Sequence, residues 1–211
     1  MDLTEMIAMV RQDLRDQDSG SYRWTDEELA RHINKTVREF SEELPLLARA
    51  TLPTTADSRE VDISALAGLV AVEAVEYPLL SFPPDYRQFT VWGDTLAIIS
   101  GSEPDGSNCR VYYGALHTLD AGGSTIPAKY EDIVVAGACG YAAQEWAVYA
   151  VNRVNVGGTV TSKEYLEWGE RKLKFFRQEL KRLGRKNRVR VNSLFQPYNP
   201  VVNQSRDYGA Y

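Results

Sequence analysis

Two histidines, two cysteines and several acidic clusters are the residues in this chain whose types could do chemistry. His32 lies in a helical stretch with no second ligand one turn away, and His117 lies near a strand end. Neither forms a metal-ligand spacing with Cys109 or Cys139. Both histidines therefore read as structural, and the isolated cysteines read as small buried hydrophobes of a reducing compartment. The acidic clusters Asp26-Glu27-Glu28, Glu42-Glu43 and Glu131-Asp132 fall at helix ends, where carboxylates favour the dipole or face water. A paired-carboxylate hydrolase stays open, because such pairs meet only in space. Nucleophile-elbow, P-loop and dinucleotide fingerprints are absent, and Gly157-Gly158 is too little for a phosphate cradle. No catalytic residue, cofactor or metal site is expected, so the chain reads as a non-enzyme.

The elements around these residues begin with a helical hairpin. Leu3, Ile7, Val10 and Leu14 recur at three- and four-residue steps. Thr25 and Glu28 make a capping box, with Trp24 placed to staple onto Leu29. Leu29, Ile33, Val37, Phe40 and Leu44 then form a stripe that Pro45 ends. Trp24, Leu29, Ile33, Val37 and Trp146 are the expected structural core. The middle third has short runs rich in β-branched and aromatic residues, with Gly93-Asp94 suited to a tight hairpin and Trp92 beside it. Helices return after Gly122-Gly123. The stretch from Tyr130 to Ala150 is the expected buried helix, with Gly137 and Gly140 tolerated if another backbone passes close. Thr161 and Glu164 give a second capping box, and Gly184 is placed to stop the last helix.

The fold class expected is α+β: mainly a helical bundle, with an inserted small antiparallel β-sheet and an extended C-terminal arm. Residues 1–48 would be the N-terminal hairpin, 49–122 the β-rich insertion, 123–184 the helices completing the bundle, and 185–211 the arm. The arm has no helical period, yet it carries too many large apolar groups for a solvating tail. It reads as a segment that orders against a partner.

Charge is polarised along the chain. The formal net charge is −5, against general nucleic-acid binding. Residues 1–80 hold 16 acidic and 8 basic side chains, whereas residues 171–190 hold 10 basic and one acidic. A solvated face, nucleic-acid binding and complementarity between neighbouring copies or with an acidic partner all fit this polarity. No apolar run reaches the ~20 residues of a membrane span. The start MDLTEMIAMVRQDLRD lacks a basic leader region, so a cytoplasmic protein is expected.

The order of these parts resembles the head-to-tail adaptor (connector) proteins of tailed bacteriophages. The matching residues are Trp24, Thr25, Asp26, Glu28, Leu29 and Asn34 in the second helix, and Pro127 and Tyr130 at the return to helix. The closing RDYGAY is similar to Tyr- and Gly-rich ends of some short-tailed-phage adaptors. The resemblance implies a ring of about twelve copies under the portal protein. A tail, nozzle or head-completion protein would sit below, and viral double-stranded DNA would pass through without sequence-specific binding. It implies a place in the virion neck, with host cytoplasm during assembly. It also implies a portal-binding arm, to which Arg185, Lys186, Arg188, Arg190, Phe195, Tyr198, Tyr208 and Tyr211 are assigned. Acidic channel walls would let DNA slide rather than hold it. A DNA-binding packaging accessory protein acting through the segment Lys181 to Arg190 remains the alternative.

Overall fold

The computed structural model of the protein describes residues 1–150 and 162–194. Thr161 and residues 195–211 lie outside the described residues, and with them the second capping box, Phe195, Tyr198, Tyr208 and Tyr211. The chain divides into two compact units: Met1–Leu46 with Leu116–Arg185, and Leu47–Ala115 with the chain from Lys186 onward.

The first unit contains helices α1 (Leu3–Leu14), α2 (Asp26–Glu43) and α3 (Glu131–Ala150), and most of α4 (Ser162–Leu194). Asp2 and Glu5 cap α1 reciprocally, and Thr25 and Glu28 do the same for α2. The α2 stripe is buried as its spacing predicts: Leu29, Ile33, Val37 and Phe40 all lie in the core with Trp24. On α1 the buried face is turned from the expected one. Met6, Val10, Arg11 and Leu14 are buried, while Leu3 and Ile7 only pack against the edge. Trp146 is likewise half-buried at the edge, its ring 5.5 Å from that of Trp24.

Helix α3 is apolar around its circumference and is buried along most of its length. Its glycines answer to close neighbours. A Cβ on Gly140 would lie 2.6 Å from Leu173 Cγ and 3.0 Å from the carbonyl oxygen of Gly169 on α4. At Gly184, inside α4, the nearest atoms a Cβ would meet belong to the Glu43 side chain, the carboxylate foremost. These environments predict opposite signs. Gly140→Ala should destabilise by about 1–3 kcal/mol, because backbone cannot yield. Gly184→Ala should be neutral or stabilise by up to about 1 kcal/mol, because a flexible side chain yields and helix propensity improves. Thermal melts of the two variants check this; equal losses would contradict it.

The second unit is all β among the residues from Leu47 to Ala115. Strands β1 (Leu46–Pro53), β3 (Leu69–Glu76), β4 (Tyr86–Arg87) and β7 (Asn108–Ala115) form a four-stranded sheet in the order β1-β7-β3-β4. Strands β2 (Glu60–Asp62), β5 (Phe89–Trp92) and β6 (Thr95–Ile98) form a three-stranded antiparallel sheet in the order β2-β6-β5. The β5–β6 hairpin pairs Trp92 with Thr95 across Gly93-Asp94. Gly93 has φ of 58° and Asp94 is not in the left-handed region, the arrangement of a turn with glycine first. Inward side chains Leu52, Val61, Val75, Leu96, Ile98, Cys109 and Val111 share one core. A third, two-stranded sheet, β8 (Leu119–Asp120) with β9 (Gly123–Ser124), belongs to the first unit.

Two expectations are corrected. The fold is α+β, but it is not mainly a helical bundle: nine strands in three sheets stand beside four helices among the described residues. The alternating stretches between residues 46 and 124 supply two sheets with their own core plus a hairpin, rather than one small insertion. The last helix also does not stop at Gly184. It runs to Leu194, so Arg185, Lys186, Arg188 and Arg190 lie on helix rather than on an extended arm. Glycine ends a helix only when it takes a left-handed conformation, and Gly184 does not.

Candidate interaction surfaces

The residues that could have done chemistry are occupied by structural work. His32 Nε2–H donates to Glu145 Oε2 at 2.5 Å, and Arg31 also bonds that carboxylate. Burial lowers the His32 pKa in spite of the carboxylate. Burial pushes Glu145 up, but the hydrogen bonds from Arg31 and His32 outweigh it and hold the carboxyl below its ordinary value. His117 Nε2 lies 3.1 Å from the carbonyl oxygen of Leu44, and Nδ1 lies 3.1 Å from Thr125 Oγ1. A carbonyl only accepts, so Nε2 carries the proton and the neutral ring fits the site.

Burial lowers the His117 pKa from the ordinary 6.5. A depressed folded-state pKa gives stability that is present above about 6.5 and is lost as pH falls through the folded value. Urea melts should therefore show stability falling from pH 7.5 to 5.5. His117→Gln should flatten part of that slope, and an unchanged slope would contradict the assignment.

The cysteines are inert. Cys109 and Cys139 are free, buried thiols in different units. Burial raises both, Cys139 to about 12. Among the described residues the two buried carboxylates are each committed to an arginine. Asp16 binds Arg11 at 2.7 Å. Glu76 takes bonds from Arg110 at 3.1 Å and the Tyr112 hydroxyl at 2.8 Å. No group of three or more metal-ligating side chains occurs among the described residues.

What remains unspent is surface. Helix α4 buries Leu173, Phe176, Leu180 and Leu183 on one side and exposes Arg171, Lys174, Arg177, Lys181, Arg185, Lys186 and Arg188. The apolar spacing of three and four residues leaves no inward position for a cation, so the charges line the water side. Helix α2 also presents cations: Arg31, Lys35 and Arg38 lie on its exposed face beside Glu27. The acidic excess of the first eighty residues is therefore not a uniformly acidic wall.

The second unit presents apolar tips instead. Trp92, at the hairpin turn beside Gly93, is 88% exposed. Leu80 and Phe82, in the connection from β3 to β4, are 92% and 98% exposed. The sequence reading missed this pair. The run PLLSFPP was the available signal: seven residues with three large apolar groups among three prolines, which cannot enter a ladder.

No curated protein matches the chain. A family model described as SU10 adaptor protein matches residues 1–190, from the first helix through nearly all of α4. Spanning both units, that match shows that the chain belongs to the SU10 adaptor proteins, a family of phage head-to-tail adaptors.

Proposed function

We propose that this chain is a structural subunit that forms a ring beneath the phage portal, joins capsid to tail and surrounds the channel that viral DNA crosses. The family match over residues 1–190 carries this reading. The surfaces agree with it, since both units end in patches suited to partners rather than to substrates. The basic face of α4 around Arg185, Lys186 and Arg188, with the tail that follows, is the portal side. A tail, nozzle or head-completion protein is the partner below. The site of action is the virion neck, after assembly in the host cytoplasm.

The exposed cations of α4 also favour a second reading, a DNA-binding packaging accessory protein. Mixing the protein with portal and imaging by negative stain separates the two. Closed rings on the portal, from a protein that sediments alone as a monomer or weak oligomer, are the expected result. A stable closed ring without portal would count against assembly on docking. DNA binding whose affinity falls steeply with salt, without portal rings, would favour the accessory reading.

A further inference from the structure

We propose that residues 78–84 are a preformed apolar hook that seats on the basic face of α4 in a second copy of this chain, around Phe175. The inference rests on the ring reading above and names the contact between neighbours.

The hook is held rigidly at its base. Tyr77 N–H donates to the carbonyl oxygen of Asp85 at 3.0 Å and so closes the loop. The Arg87 guanidinium donates from Nε to the carbonyl oxygen of Tyr77 at 2.7 Å and pairs with Asp85 at 3.0 Å. It lies across Gly101, where any Cβ would collide with it. The Tyr77 ring is buried, and its hydroxyl donates to Asp105 Oδ1 at 2.6 Å. That bond, together with hydrogen bonds from Ser107, holds the Asp105 carboxyl down at about 2.

A loop fixed this firmly ordinarily tucks its apolar side chains inward. This one does the reverse, and it also holds Leu80 at φ of 66°, a left-handed conformation that costs a leucine energy. Strain kept at an exposed apolar tip marks a surface made for a partner. Two large side chains already in place lose little freedom on docking.

Charge selects the occupant. Residues 47–115 contain nine acidic side chains, four arginines and no lysine. Such a unit is repelled by an anionic bilayer. It is attracted by an apolar spot with a basic rim, and the chain carries one. Phe175 is 49% exposed on α4, with Arg171 and Lys174 exposed beside it. Hook and seat are different patches, so the contact is head-to-tail, the kind that closes a ring when the rotation allows.

The test mixes two full-length single variants, Phe82→Cys and Phe175→Cys, with portal and then adds a short bismaleimide. The native thiols are buried, so only the introduced ones should react. Portal-bound rings containing heterodimers joined between positions 82 and 175 are the expected result. Leu80→Ser with Phe82→Ser should lower ring yield on the portal at least about tenfold, with unchanged melting because both side chains are exposed. Rings without the heterodimer, or with links only between two Phe82→Cys copies, would overturn the contact and leave the ring reading standing. Heterodimers in solution without portal rings would support the contact and overturn the ring reading. Absence of both would overturn both. Normal rings from the double serine variant that fail to attach tails, or that gain binding to neutral lipid vesicles, would assign the hook to that other partner and overturn the proposal.

Discussion

Arg11→Ala should lower the free energy of unfolding by about 3–5 kcal/mol, more than loss of any exposed cation in the chain. The guanidinium is buried between α1 and the start of α2. Its Nη1 donates to Asp16 Oδ2 at 2.7 Å, and its Nη2 donates to the carbonyl oxygen of Trp24 at 2.9 Å and to Asp26 at 2.7 Å. The Tyr22 ring covers it at 3.7 Å. One side chain thus ties the end of α1, the intervening turn and the first turn of α2. Removing it leaves the Asp16 carboxylate buried with only the Arg23 N–H, at 2.8 Å, and strips a partner from the Trp24 carbonyl. Arg11→Lys should lose less, but not nothing, because one ammonium cannot satisfy three acceptors in the geometry of a planar fork. Urea melts of both variants check the order. Melts that match the original protein would show that the turn does not depend on this network.

Arg11 also shows where the sequence stops being legible. The capping box of α2, its apolar stripe and the hairpin at Gly93 depend on neighbours within a few residues, and each reads directly from spacing. A buried arginine does not, because its acceptors lie five to fifteen residues away and nothing local distinguishes it from Arg15 on the surface. Its burial turns α1, so Met6 replaces Leu3 on the inner face. The end of α4 failed for a related reason. Gly184 looks like a stop, but it sits against Glu43, and the strong helix formers Arg185, Lys186 and Arg188 continue the turn. The β region was readable strand by strand but not as two sheets, since pairing such as β2 with β6 joins residues far apart in sequence. The adaptor resemblance was legible because its motifs sit at helix starts, where sequence and structure are most tightly coupled. The apolar hook was not, because its exposure is decided by a base clamp that only the fold assembles.

Removing residues 195–211 should leave the melting transition unchanged and abolish docking to the portal. The two cores are built from residues that precede this segment. Its composition adds Phe195, Tyr198, Tyr208 and Tyr211 among prolines and asparagines. A few large aromatics carry most of a typical interface, at about 2 kcal/mol or more each, so losing three or four of them should remove several powers of ten in affinity. The helical course of α4 to Leu194 divides the earlier arm into two parts with separate signatures. Arg185 and Lys186 are exposed on the helix, as is Arg188, and long-range attraction to an acidic portal surface would act mainly on the rate of encounter. Replacing those three by glutamate should slow docking most at low salt and lose its effect as salt rises. Truncation should act at every salt concentration, because it removes contacts rather than steering. Measuring portal binding of both variants across a salt series separates the two parts. A truncated protein that still completes infectious particles at normal yield would sink the anchoring role of the tail, and would leave the exposed helix face of α4 as the docking surface.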